Sequence, residues 1–314
     1  MKTILITGGT GFIGANLCNR LAQDENNKII CLDNNYTGSL KNVENLINNP
    51  RFKFINHDVI NPIEIDEKID EIYNLACPAS PVAYQGKHSI LTTKTCIYGA
   101  INVLDLAVKN NAKILQASTS EIYGEPLVHP QIETYFGNVN PNGIRSCYDE
   151  GKRCAESLFF DYNRIYDTKI KVVRIFNTYG PKMDKNDGRV VSNFIYQALL
   201  GKDLTIYGNG AQTRSFCYID DLINGLIKMM ATKDDITGAI NLGNNGEFTI
   251  SELANLIKEK INPNLKITYK PLPSDDPTQR RPDISKAKEI LNWQPEIKLE
   301  DGLDKTIAYF KEII

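Results

Sequence analysis

Six short apolar runs, Thr3–Thr7, Lys28–Leu32, Phe52–Asn56, Glu71–Ala76, Ala112–Ser118 and Lys171–Phe176, punctuate the first half of the chain, with amphipathic segments beginning near Phe12, Ser89 and Tyr148. Continuous apolar runs of this length read as strands covered on both faces. Parallel neighbours need a crossover that runs back along the sheet, and a helix supplies it. The alternation therefore predicts an α/β fold on a doubly wound parallel sheet. After Asn177 the pattern loosens. Residues 181–189 are polar and marked by Gly and Pro, and residues 263–282 are rich in Pro and charge around a short candidate strand, Lys266–Tyr269. Ile250–Lys260, capped by Thr249 or Ser251, and Leu299–Ile313, with Glu300 and Asp301 in its first turn, have helical spacing. These features predict a smaller, loop-rich C-terminal lobe.

At 314 residues, 42% of them hydrophobic, the chain is long enough to bury a substantial core. A net charge of −2 argues against binding nucleic acid or an anionic membrane through bulk charge. No apolar run approaches the roughly 18 residues of a spanning helix. Residues 1–6 lead straight into glycines rather than a signal-peptide core, so a cytoplasmic protein is expected. Seven scattered cysteines, none arranged as Cys-x-x-Cys, suit reduced thiols, and with three histidines no metal site is expected.

The strongest local motif is Thr7-Gly8-Gly9-Thr10-Gly11-Phe12-Ile13-Gly14, between the first strand and the first helix. Its glycines permit a tight turn and close approach of a pyrophosphate to the helix N-terminus. The second strand ends at Asp33, 19 positions past Gly14, where an acidic residue binds ribose hydroxyls. A strand-end turn is the other role open to Asp33. Its charge would repel a 2′-phosphate, and Asn34 and Asn35 follow rather than arginine, so NAD is favoured over NADP. Asp58-Val59, after the third strand, is a candidate adenine contact.

Tyr148-x-x-x-Lys152 puts a phenol and an ammonium on one helical face. With Ser118-Thr119-Ser120 at a predicted strand end, it forms a candidate proton-transfer set. Thr119 orients a substrate hydroxyl, Tyr148 acts as base, and Lys152 holds the nicotinamide ribose and lowers the phenol's pKa. A unit charge at about 4 Å, with effective ε near 20, contributes on the order of 4 kcal/mol, or roughly 3 pKa units.

These motifs resemble the extended short-chain dehydrogenases/reductases. More specifically, Asn74–Pro81, Ser118–Gly124, Arg145–Arg153, Asp187–Phe194, Gln212–Phe216 and Asp275–Asp283 are similar to the UDP-glucuronate decarboxylase (UDP-xylose synthase) family. The resemblance covers nearly the whole chain. It implies a Rossmann NAD-binding domain over residues 1–180, with the chain returning to it around 215–245, and a substrate lobe within 181–314. It also implies oxidation of a UDP-sugar at C4, loss of CO₂ from the 4-keto acid, and re-reduction by NADH. Catalytic positions by resemblance are Thr119, Ser120, Glu121, Tyr148, Lys152 and Arg280, with Ser120 and Glu121 beside the carboxylate-bearing carbon and Arg280 the partner of that carboxylate.

The implied cofactor contacts are Gly8, Gly11, Phe12, Ile13, Asp33, Asn34, Tyr36, Thr37, Asp58, Val59, Leu75, Cys77, Thr95, Ala117, Tyr148, Lys152 and Thr178. The implied sugar-nucleotide contacts are Lys94, Asn102, Asn177, Arg189, Gln212, Arg214 and Arg280. Two residues depart from the family pattern: Cys77, where serine is frequent, and Cys96, where asparagine is usual. Family members pair through helices matching Tyr148–Tyr166 and Ser89–Lys109, which implies a homodimer. Nucleotide-sugar 4,6-dehydratases and 4-epimerases begin with the same oxidation. The dehydratases resemble one another in carrying Asp at the position of Ser120, whose hydroxyl is too weak an acid to expel a hydroxyl group. Epimerisation of UDP-glucuronate stays open as the nearest alternative. A non-catalytic NAD-binding protein is the alternative of a different class.

Overall fold

The apolar runs form strands because each can be covered on both sides. In chain order the first half folds as β1 (Lys2–Thr7), α1 (Phe12–Leu21), β2 (Asn27–Asp33), β3 (Phe52–Asn56), β4 (Glu71–Asn74), α2 (Pro81–Tyr84), α3 (Ser89–Asn110), β5 (Lys113–Thr119), α4 (Ser146–Tyr166) and β6 (Ile170–Ile175). The computed structural model describes residues 1–272 and 279–314, so Asp275–Thr278 of the last motif block lie outside the described residues. Alternation along β1 divides the core. Ile4 and Ile6 pack with Ala15 and Leu17 of α1, while Leu5 packs with Val103 and Leu104 of α3 and Phe159 of α4.

Most boundaries fall within one residue of the sequence reading, and the two that differ by two residues do so for a local reason. β4 ends at Asn74 rather than Ala76, because β1 has run out: the Ala76 N–H turns to the Thr7 hydroxyl at 3.3 Å. α4 starts at Ser146, two residues before Tyr148, because the Arg145 carbonyl accepts the Tyr148 and Asp149 amides.

The second half continues as β7 (Thr178–Tyr179), α5 (Val190–Leu199), β8 (Leu204–Tyr207), β9 (Thr213–Ser215), β10 (Cys217–Tyr218), α6 (Ile219–Met230), β11 (Ile240–Leu242), β12 (Glu247–Thr249), α7 (Ile250–Ile261), β13 (Ile267–Lys270), β14 (Gln279–Arg280), α8 (Ser285–Leu291) and α9 (Leu299–Ile313). The central sheet has the order β11-β6-β5-β4-β1-β2-β3, all parallel. The chain winds outward from β1 to β3, then crosses to β4 on the other side. That reversal opens a crevice at the carboxyl ends of β1 and β4, the ligand position in such sheets.

Beyond the central sheet, β12, β9 and β14 form a small sheet whose register sets Arg280 beside Arg214. Gln131 anchors the far side of this strand: its N–H and carbonyl pair with Arg281 and Asp283, and its Oε1 accepts the Arg281 N–H at 2.8 Å. α7 begins with a capping box in which Thr249 and Glu252 exchange hydrogen bonds. Among the described residues, no helix is long and apolar enough to cross a membrane.

Candidate active site

The glycine turn after β1 has the geometry that a dinucleotide requires. Gly8 has φ +69°, and a Cβ there would stand 2.8 Å from the Ala76 nitrogen; one at Gly14 would lie 2.1 Å from the Gly8 carbonyl oxygen. Asp33, buried at the end of β2, accepts the Thr10 N–H at 3.0 Å on one oxygen and the Asn35 N–H at 2.8 Å on the other. The two roles read for Asp33 are compatible: the backbone bonds fix the carboxylate while each oxygen keeps a second lone pair for a hydroxyl. The Asn34 amide donates to Asp58 at 3.0 Å, and Asp58 accepts the Ile60 N–H, which closes the rim of the turn. A cradle without room for Cβ atoms, ending on an oriented carboxylate, fits the ribose and pyrophosphate of a dinucleotide.

From this turn a cleft of about 1730 Å³ extends to Gln212, Arg214 and Arg280. It is lined by every cofactor and catalytic position expected from the sequence, and by Asn177, Arg189, Gln212 and Arg214. Lys94 and Asn102, also expected to contact the sugar nucleotide, do not line it. Thr95 faces the cleft, and one helical step of about 100° turns Lys94 out to solvent. The Asn102 amide donates to the Val59 carbonyl at 2.8 Å, so it braces the loop after β3.

At the end of β5, the Thr119 hydroxyl accepts the Glu121 N–H at 3.2 Å and lines the cleft with the Tyr148 phenol. The Lys152 ammonium, buried, donates to the Ala117 carbonyl at 2.9 Å and lies 5.8 Å from the Tyr148 ring centre. The expected lowering of the phenol's pKa is not found. Burial pushes Tyr148 well above the usual phenol value, the negative Cys77 thiolate form adds to this, and the Thr119 hydroxyl only partly opposes it. Ser118 points the other way, to the Glu156–Arg174 ion pair behind the sheet.

Spacing gave no sign of several residues that complete the cluster. Tyr84, at the end of α2, stacks on Tyr148 with ring centres 4.9 Å apart and planes 10° from parallel. Glu121 is held between Arg145, whose Nη2 is 2.5 Å away, and Arg280, whose Nη1 donates to its other oxygen. Burial would raise the Glu121 carboxyl, but the two guanidiniums win and hold it at about 2. Asp149, buried nearby with Oδ1 lacking a hydrogen-bond partner, is pushed up to about 7 by burial and by Glu121. Arg280 also approaches the Ser120 hydroxyl at 3.5 Å, so the expected carboxylate partner is already engaged by a side chain of the same site. Arg189 forms a two-point pair with Asp187 at 2.5 and 2.7 Å and lies over the Phe12 ring. The only advance sign of the Arg145 role was its place in a motif block.

The model of the GDP-mannose 4,6 dehydratase family matches residues 5–306 of this chain. The chain belongs to that family. Within the GDP-mannose 4,6 dehydratase family, it is 55% identical over 300 residues to UDP-glucuronic acid decarboxylase 3 of Arabidopsis thaliana, covering 96% of this chain and 86% of that protein. It is 50% identical over 309 residues to UDP-glucuronic acid decarboxylase 1 of Danio rerio, covering 98% and 72%. A solved structure of UDP-glucuronic acid 4-epimerase from Bacillus cereus, in complex with UDP-glucuronic acid and NAD, superposes with a TM-score of 0.90 at 28% identity over 99% of this chain and 100% of that one.

Proposed function

We propose that the protein is an NAD-dependent decarboxylase that converts UDP-glucuronate to UDP-xylose and CO₂. One juxtaposition carries this reading: the alcohol-handling set Thr119, Tyr148 and Lys152 shares a cleft with an acid-handling set, Arg280 and Glu121, the latter lying two residues after Thr119. The 50–55% identical decarboxylases support it. The Gly8–Ile13 turn, Asp33, Thr95, Lys152 and Thr178 would hold NAD, which would supply reversible hydride transfer at the sugar C4.

Tyr148 accepts the proton of the 4-hydroxyl, which Thr119 orients. Burial disfavours the phenolate, so proton acceptance requires positive charge near the ring, and Lys152 is the cation this chain supplies. The resulting ketone lies β to the carboxylate and draws the electrons of the breaking C–C bond. The Thr119 and Tyr148 hydroxyls donate to the enolate oxygen as CO₂ leaves. C5 is then protonated and the ketone reduced. Arg280 binds the carboxylate before this step, with Glu121 able to take its guanidinium back as the negative charge departs.

The 28% identical epimerase that binds UDP-glucuronic acid supports epimerisation as the second reading. Incubation with UDP-glucuronate, with and without added NAD⁺, separates them: UDP-xylose and CO₂ are expected, and UDP-galacturonate without CO₂ would overturn the assignment. We divide the chain into a cofactor domain, residues 1–180 with a return around 215–245, and a substrate lobe within 181–314. A homodimer joined through α3 and α4 is supported by exposed Ile90 and Tyr98 on α3 and Ile165 and Tyr166 on α4. Light scattering should give twice the chain mass. Seven free thiols suit a reducing compartment, and we assign the protein to the cytoplasm.

A further inference from the structure

Cys77 and Cys96 take no part in the reaction above, yet their sulfur atoms lie 3.2 Å apart. Cys77 follows β4 on the wall of the cleft, while Cys96 is buried on α3. Neither is in a disulfide. A Cβ at Gly151 would come within 2.9 Å of the Cys96 Cβ and 3.1 Å of its sulfur, so Cys96 fills a notch in α4 between Tyr148 and Lys152. A disulfide holds its sulfurs about 2.05 Å apart, so bridging the pair requires closure by only about 1.2 Å.

The two thiols are also unequal. For Cys77 burial acts upward, but the hydrogen bond with Cys96 and the Lys152 charge outweigh it, leaving this thiol below the usual value. The same hydrogen bond, together with burial, pushes Cys96 up. The thiol that faces the cleft is thus the more ionised one, as an attacking thiol should be, with a resolving thiol beside it.

We propose that Cys77 and Cys96 form an oxidisable dithiol site that a small-molecule disulfide, entering through the cofactor groove, converts to a Cys77–Cys96 disulfide. The Cys77 thiolate attacks one sulfur of the reagent, forming a mixed disulfide and expelling one thiolate. Cys96 then attacks the Cys77 sulfur and expels the second. Two electrons pass from the pair to the reagent, and the two thiol protons end on the two leaving thiols. The inference does not depend on the reaction assigned above, because its readout is covalent.

The test treats the full chain with excess oxidised glutathione and counts thiols after denaturation. The count should fall from the seven of the reduced chain to five, return to seven with dithiothreitol, and peptide mapping should join Cys77 to Cys96. In Cys96→Ala, which lacks the resolving thiol, a lasting glutathione adduct on Cys77 should replace the bridge. A bridge to Cys147, a lasting adduct on the unsubstituted chain, or seven unreacted thiols would each overturn the proposal. The mapping decides it even if the variant does not fold.

Discussion

Glu121→Gln probes how the cleft recognises an acid sugar. The Glu121 side chain is 15% exposed and lies between Arg145, 11% exposed, and Arg280, 3% exposed. At about 4 Å with effective ε near 20, each pair contributes on the order of 4 kcal/mol before the cost of burial is set against it. Removing one partner of a buried pair costs about 3–5 kcal/mol. Glutamine keeps one acceptor oxygen, so the lower figure applies, and the melting temperature should fall by roughly 6–12 °C at about 2–4 °C per kcal/mol.

Binding should move the other way. Arg280 no longer has an internal carboxylate to hold, so the substrate's carboxylate gains a charge-assisted bond worth roughly 1.5–3 kcal/mol, a ten- to hundred-fold lower Kd. UDP-glucose, which lacks that group, should bind unchanged. Turnover should fall, because a carboxylate held by an unshared guanidinium is stabilised before CO₂ forms and must lose that stabilisation. Calorimetric melting of the free protein, titration of both sugar nucleotides in a Tyr148→Phe background that slows turnover, and steady-state CO₂ release by Glu121→Gln alone measure stability, affinity and turnover. An unchanged melting temperature, or an affinity for UDP-glucuronate that drops, would refute the reasoning: Glu121 would then position Arg280 rather than compete for it.

The parts of this site that could be read in advance are those whose geometry is fixed within one element. Gly8, Gly11 and Gly14 span a single turn, and Tyr148 and Lys152 are one helical turn apart, so spacing alone specifies their placement. Strand positions also follow from local pattern: β3 runs over Phe52–Asn56 as read, and the other five strands lie within two residues of the runs. The acid-handling set could not be read this way. Glu121 meets Arg145 across 24 positions and Arg280 across 159, and no periodicity links residues brought together by α4 and by a two-residue strand registered on β9. Tyr84 reaches Tyr148 from a four-residue helix. β11 is three residues long, too short a run to stand out from a turn. The Tyr148 phenol shows a different limit. A charge at helical spacing can be counted from the sequence, but the burial that outweighs it is set by everything packed around the ring.

Tyr148→Phe should lower turnover by about 10²–10⁴-fold with dinucleotide affinity retained, since only the proton acceptor is lost; steady-state assay and NAD titration check both halves. Asp33→Ala should weaken NAD more than NADP, because the ribose hydroxyls lose an acceptor while a 2′-phosphate loses a repulsion, and an unchanged affinity ratio would assign the choice to another residue. Asp149→Asn should change how stability depends on pH. The Asp149 carboxyl is held at about 7 by burial and by Glu121, against about 3.9 in an unfolded chain. The folded protein therefore keeps a proton between about pH 4 and 7 that the unfolded chain has released, so this stabilisation is full below about pH 4 and is lost as pH rises to about 7. Glu121, held at about 2, acts oppositely: its contribution is present above about pH 4.3 and is lost as pH falls towards 2. Asparagine cannot ionise, so at pH 8 the variant escapes the cost of a buried charge, on the order of 4 kcal/mol for about three pKa units. Urea unfolding should find Asp149→Asn more stable than the unsubstituted protein at pH 8 and close to it at pH 4.5. A variant less stable at pH 8 would mean that Asp149 is ionised against Arg145 in the folded protein and contributes as an ion pair.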